Sequence, residues 1–184
     1  MSGSDERERS DRHVVLVGMM GAGKTTTGVA LAARLDRPLR DGDVDLEART
    51  GHTGAEIAAA DGIDHLHHLE EEVLLDALAD ERPAVVAAAG WVVEAPRCRE
   101  ALADRATVVW LDVPVGELVS RMATGAHRRP LDPDAADALL ARRQRCFAEA
   151  ADLRLDARAP VDELVASVLD ALDEADDRST EEAP

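Results

Sequence analysis

Eight residues near the amino terminus, G-M-M-G-A-G-K-T from Gly18 to Thr25, have the spacing of a loop that holds a polyphosphate. In such a loop, backbone N–H groups turn inward on phosphate oxygens, a slim ammonium reaches the outer phosphates and a hydroxyl binds Mg²⁺. Met20, Gly21, Ala22, Gly23, Lys24, Thr25 and Thr26 are the expected contacts to ATP, with Thr25 on the metal and Lys24 also catalytic. Lys24 is the single lysine in a chain of twenty arginines. A planar guanidinium is too broad for that slot, so the arginine bias stops there for a chemical reason.

A second set is D-G-D-V-D, Asp41 to Asp45. Read as extended chain at the end of a strand, it puts Asp41, Asp43 and Asp45 on one face. One carboxylate can then hold Mg²⁺ through water while another accepts the proton of an attacking hydroxyl, the two tasks that phosphoryl transfer leaves to acids. The same residues also favour the first turn of a helix, a reading that suits Asp45 best.

Strands must end beside these groups to position them. The apolar run from His13 leads into Gly18 as a buried strand, and Lys24 to Leu35 reads as the helix that follows. Further strands are expected at Val14–Val17 (the core of that run), Pro38–Asp41, Ala84–Ala88, Thr107–Asp112 and Leu153–Asp156. Helical patterns fill the gaps, the last from Val161 to Leu172. This alternation predicts an α/β fold, a five-stranded parallel sheet covered by helices on both faces in three αβα layers. Arg121 to Asp134, with Gly125, Pro130 and Pro133, breaks the rhythm and reads as a lid or long loop.

A chain of 184 residues suits one domain, here 13–174, between charged ends at 1–12 and 175–184 that are expected to be disordered. A formal charge of −17 repels nucleic acid and anionic membrane, so neither is an expected partner. No apolar run suits a signal peptide or a membrane span, and a cytoplasmic monomer is expected. Cys98 and Cys146 are too few and too separated for a disulfide framework or a metal knuckle.

With these residues in view, the chain from about Val14 to about Leu172 resembles the shikimate kinase family, P-loop proteins of the nucleoside monophosphate kinase-like type. The family's D-x-D-x-x-[IL]-E-x-x-x-G-x-[ST]-x-x-E-I pattern is matched by Asp41, Asp43, Leu46, Glu47, Gly51, Thr53, Glu56 and Ile57. Its R-P-L lid is matched by Arg129-Pro130-Leu131, and its late helix arginine by Arg143, followed by Phe147 and Glu149. The resemblance implies transfer of the ATP γ-phosphoryl to the 3-hydroxyl of shikimate or to a related hydroxy acid or polyol. It also implies that Asp41 supports Mg²⁺, Asp43 grips the acceptor hydroxyls, Arg129 closes over the phosphates and Arg143 holds a carboxylate. Arg121 resembles the arginine that packs on adenine, with Met122 the alternative in register.

Two acceptor-side features depart from the family. F-R-x-x-E becomes Leu66-His67-His68-Leu69-Glu70, which puts His67 where a carboxylate-binding arginine stands, and three glycines become Ala89-Gly90-Trp91. A histidine offers one or two donors and a pH-dependent charge, not a bidentate fork. Trp91 either narrows the pocket or turns outward into the core. His67, Gly90, Trp91, Asp43 and Arg143 are the expected acceptor contacts. His65, His67 and His68 lack the further ligands of a zinc site, with only the acids Glu70 to Glu72 near, and read as pocket lining or polar helix face. Arg128 is either a second phosphate clamp or solvated, and Arg142 and Arg145 are expected on the wet face. The competing readings are a nucleotide-binding module without catalysis and a nucleoside monophosphate kinase. The latter wants an arginine cluster that the acceptor half does not offer.

Overall fold

The computed structural model describes the backbone of residues 12–124 and 133–181. Among them, five strands form one parallel sheet in the order β2-β3-β1-β4-β5: β1 His13–Val17, β2 Leu39–Asp41, β3 Val85–Ala87, β4 Ala106–Asp112 and β5 Leu153–Asp156. Eight α-helices connect and follow them: α1 Lys24–Leu35, α2 Gly42–Thr50, α3 Gly54–Asp61, α4 Ile63–Ala79, α5 Pro96–Arg105, α6 Val115–Thr124, α7 Pro133–Ala150 and α8 Val161–Glu181. Right-handed crossovers put α1 and α8 together on one face and α4, α5 and α7 on the other, giving three layers. The central strands are buried on both faces, as their unbroken apolar runs require.

All five strands fall where the apolar runs put them, each within a residue or so of the expected ends, and α1 matches its expected limits. The chain leaves β1 toward β2 and leaves β4 toward β5 on the opposite side. The loops after β1 and β4 therefore diverge and open a crevice at the sheet's carboxyl edge.

Three expectations are corrected. Gly42 to Asp45 is the first turn of α2, not extended chain, because the Asp41 side chain caps that helix by accepting from the Asp43 N–H at 3.1 Å. Of the 121–134 lid, the first residues complete α6 and Pro133 opens α7, since proline is well suited to a first helical position. Residues 125–132 lie outside the described residues, and with them Arg128 and the Arg129-Pro130-Leu131 triplet; the Met122 side chain does too. The last helix continues past Leu172 to Glu181, into the segment expected to be disordered, because no glycine or proline interrupts the sequence there. Residues 1–11 and 182–184 are also outside the described residues.

Much of the D-x-D pattern is architectural. Gly51 ends α2 at φ 74°, and Thr53 with Glu56 forms a complete capping box on α3. Leu46 and Ile57 join Leu66 and Val73 in a small second core beneath α2, α3 and α4.

Candidate active site

The phosphate loop joins β1 to α1. Gly23 immediately precedes the helix at φ 95° and ψ 17°, a left-handed conformation that a side chain would strain, and the loop's N–H groups then meet the helix's positive end. Lys24 Nζ donates to the carbonyls of Gly18 at 2.9 Å and Met19 at 3.1 Å, which lays the ammonium across the loop. Ala22 is buried, while Met20, Thr25 and Thr26 are exposed.

Thr25 Oγ1 donates to Asp41 Oδ2 at 2.7 Å. A hydroxyl at the start of α1 and a carboxylate at the end of β2 are thus already together, the donor set that a hard, oxygen-seeking cation such as Mg²⁺ takes. Asp43 is exposed on the first turn of α2, whereas Asp45 is tied to Arg40 at 2.7 Å. Asp45 is therefore structural.

Across the crevice, Gly90 follows β3. A Cβ added there would sit 2.9 Å from the Gly18 carbonyl oxygen and 3.6 Å from Arg143 Nη1, so only glycine lets the two loops meet. Arg143 comes from α7 and is buried; its Nε donates to Glu94 Oε1 at 2.6 Å. Burial works to raise the Glu94 carboxyl, but the Arg143 hydrogen bond and charge, joined by Arg142, outweigh it and hold the group below the usual range. Arg142 lies on the exposed side as expected yet still reaches Glu94 at 3.1 Å, while Arg145 pairs with Glu149 in solvent.

His67 and Trp91, the two departures from the family pattern, touch. Their rings stack with centroids 4.2 Å apart and planes 16° from parallel. Trp91 thus lies against α4 and also packs on the main core. Burial first, then the Arg143 charge, lowers the His67 pKa from its ordinary value. His65 and His68 are exposed and outside this contact. Arg121 is held by Glu117 at 2.9 Å and by the Ala157 carbonyl at 2.9 Å, beyond the carboxyl end of β5.

Two further acids stand among these groups. Glu94 was given no role by sequence, and Glu70 stood as the acid of the F-R-x-x-E pattern and in an acidic run, with no role of its own. Glu70 is half-buried on α4; burial, then the Asp43 carboxylate, pushes its pKa up to about 7, against the pull of Arg143 and Lys24. The signal was present: Leu66, Glu70, Val73, Leu74 and Ala77 form one helical stripe, with an acid at a core-facing position. Because the native pKa is raised above the unfolded value, the favourable contribution is complete below about 4.5 and is lost as pH rises through about 7. Glu70→Gln is therefore expected to stabilise the protein by about 1–3 kcal/mol at pH 8 and little at pH 5, read by urea unfolding at both values. A difference independent of pH would mean that Glu70 titrates normally.

A phosphate loop on a five-stranded parallel sheet, with a hydroxyl–carboxylate pair and an acid-and-arginine pocket opposite, defines a P-loop phosphotransferase. A profile of the shikimate kinase family matches residues 20–173. The chain is 39% identical over 173 residues to the shikimate kinase of Symbiobacterium thermophilum, covering 90% of this chain and 99% of that one. It is 42% identical over 148 residues to the shikimate kinase of Mycobacterium tuberculosis, covering 77% and 82%. In structure it is similar to the Acinetobacter baumannii shikimate kinase in complex with shikimate, with TM-score 0.84, 27% identity and 93% and 98% coverage. This chain belongs to the shikimate kinase family and is an ATP-dependent phosphotransferase with an alcohol acceptor. A silent nucleotide-binding module is not favoured.

Proposed function

We propose that the protein phosphorylates a ring hydroxyl of shikimate with ATP in the presence of Mg²⁺, and does so in the cytoplasm. One observation carries the reading: Gly90 borders both the Gly18 carbonyl of the phosphate loop and the Arg143 guanidinium, so phosphate and acceptor carboxylate have sites on either side of one residue. The residues present fit the metal, since Thr25 and Asp41 offer it a hydroxyl and a carboxylate. When bound there, Mg²⁺ supplies charge neutralisation to the outer phosphates.

The chain's own residues do the rest. Arg143 anchors the acceptor carboxylate while Glu94 fixes the guanidinium from the other side. Asp43 orients the acceptor hydroxyl and takes its proton as the hydroxyl oxygen bonds to the γ-phosphorus and the bridge to the β-phosphate breaks, leaving ADP. Lys24 neutralises charge that develops on the transferring group, and Arg129 is assigned the same task from the lid. Main-chain N–H groups from Met20 to Gly23 cradle the remaining phosphates, Thr26 extends that cradle, and Arg121 flanks the base. Location in the cytoplasm is supported by the charged composition and by the lack of any membrane-length apolar helix among the described residues.

The test is coupled measurement of ADP release by the purified chain with shikimate, quinate and gluconate. Turnover is expected with shikimate in preference to the other two. Turnover confined to another acid would move the acceptor, and ATP binding with no transfer to any of them would refute the kinase reading.

A further inference from the structure

The departures at positions 67 and 91 are 24 residues apart on different elements, yet they form one object. A parallel stack at 4.2 Å is a contact that neither residue makes alone, and it stands next to Gly90, the residue bordering both phosphate loop and Arg143. Beside the stack, Arg143 and the Arg142 that shares Glu94 with it supply fixed positive charge. The stacked pair packs on the main core through Trp91 and stays half-exposed, so it keeps an aromatic surface open. Such a surface favours the apolar face of a ring over a hydrated open chain.

We infer that the His67–Trp91 stack is the specificity wall of the acceptor pocket, taking the apolar face of a cyclic monocarboxylate and leaving the carboxylate to Arg143. This rests on the reading of the site as that of an alcohol kinase. His67 serves as a positioning residue: it holds Trp91 flat and supplies a hydrogen-bonding edge. The bland alternative, that Trp91 merely fills space at the core's margin, predicts loss of stability with no change in acceptor preference.

The test uses the full chain in four forms: wild type, Trp91→Ala, Trp91→Phe and the double variant His67→Ala/Trp91→Ala. Measured are KM for shikimate and for ATP, melting temperature, and inhibition by cyclohex-1-ene-1-carboxylate, a probe with ring and carboxylate but no hydroxyl. Trp91→Ala is expected to raise the shikimate KM and the inhibition constant of the probe together, by roughly five- to tenfold, with the ATP KM unchanged. Trp91→Phe, which keeps a flat ring, restores most of both. The double variant is little worse than Trp91→Ala, because both changes remove one stack.

Wild-type protein gives a second readout that depends on no variant folding. Trp91 and Trp110 are the two tryptophans, and Trp110 is buried in β4. Shikimate is therefore expected to change the tryptophan emission, and Trp91→Phe to abolish the change. If wild type turns over shikimate but its emission is unmoved at saturation, or if Trp91→Ala melts lower with both acceptor constants unchanged, the wall is refuted and the kinase reading stands. If wild type binds MgATP and phosphorylates no acid, both fall.

Discussion

Replacing Lys24 by alanine is expected to leave the fold intact and to reduce phosphoryl transfer by roughly a hundred- to a thousandfold. Its hydrogen bonds to the carbonyls of Gly18 and Met19 are local, and losing each costs about 1–3 kcal/mol. The ammonium's larger effect falls on the transition state, where charge spreads over the phosphoryl oxygens and a preorganised cation needs no rearrangement. Lys24→Arg is expected to rescue little, because the fork is wider than the loop allows. The check is kcat/KM beside the melting temperature. Near-normal turnover by a folded Lys24→Ala protein would remove the residue from this role.

Asp43→Asn is expected to lower kcat by about a hundred- to ten-thousandfold while changing the shikimate KM little. The substitution keeps the shape and the hydrogen-bonding reach but removes the ability to take a proton. It should not disturb the helix start, because the cap belongs to Asp41, which accepts from the backbone N–H of residue 43 whatever its side chain. Stopped-flow or steady-state kinetics separate the two parameters. A loss confined to KM would make Asp43 a ligand for the acceptor hydroxyls and nothing more.

The sheet was legible because each strand is a short apolar run ending at charged or turn residues, and period and punctuation agree. The strand order was not, since nothing local says that β3 lies between β1 and β2. On the nucleotide side, the Thr25–Asp41 contact follows from motif spacing on a known strand-loop-helix unit, and the structure forms it directly. The acceptor side was only half legible. Glu70 was legible as the acid of the F-R-x-x-E pattern but was given no role, although the apolar stripe through Leu66 and Val73 marked it as inward-facing. Glu94 as the partner of Arg143, and the meeting of His67 with Trp91, depend on which elements the fold brings together. Pro133 shows the opposite error: a residue read as a break is the first of an eighteen-residue helix, because proline punctuates from inside a helix start as well as from outside.

The close packing of Gly90 on Gly18 has a thermodynamic consequence. The partition between the two halves of the crevice is only a pair of peptide groups thick, so a displacement on one side cannot be absorbed before it reaches the other. If occupancy of one compartment alters affinity in its neighbour, reciprocity requires an equal factor in return. Binding constants measured for either compound alone then describe a different protein from the one that turns over.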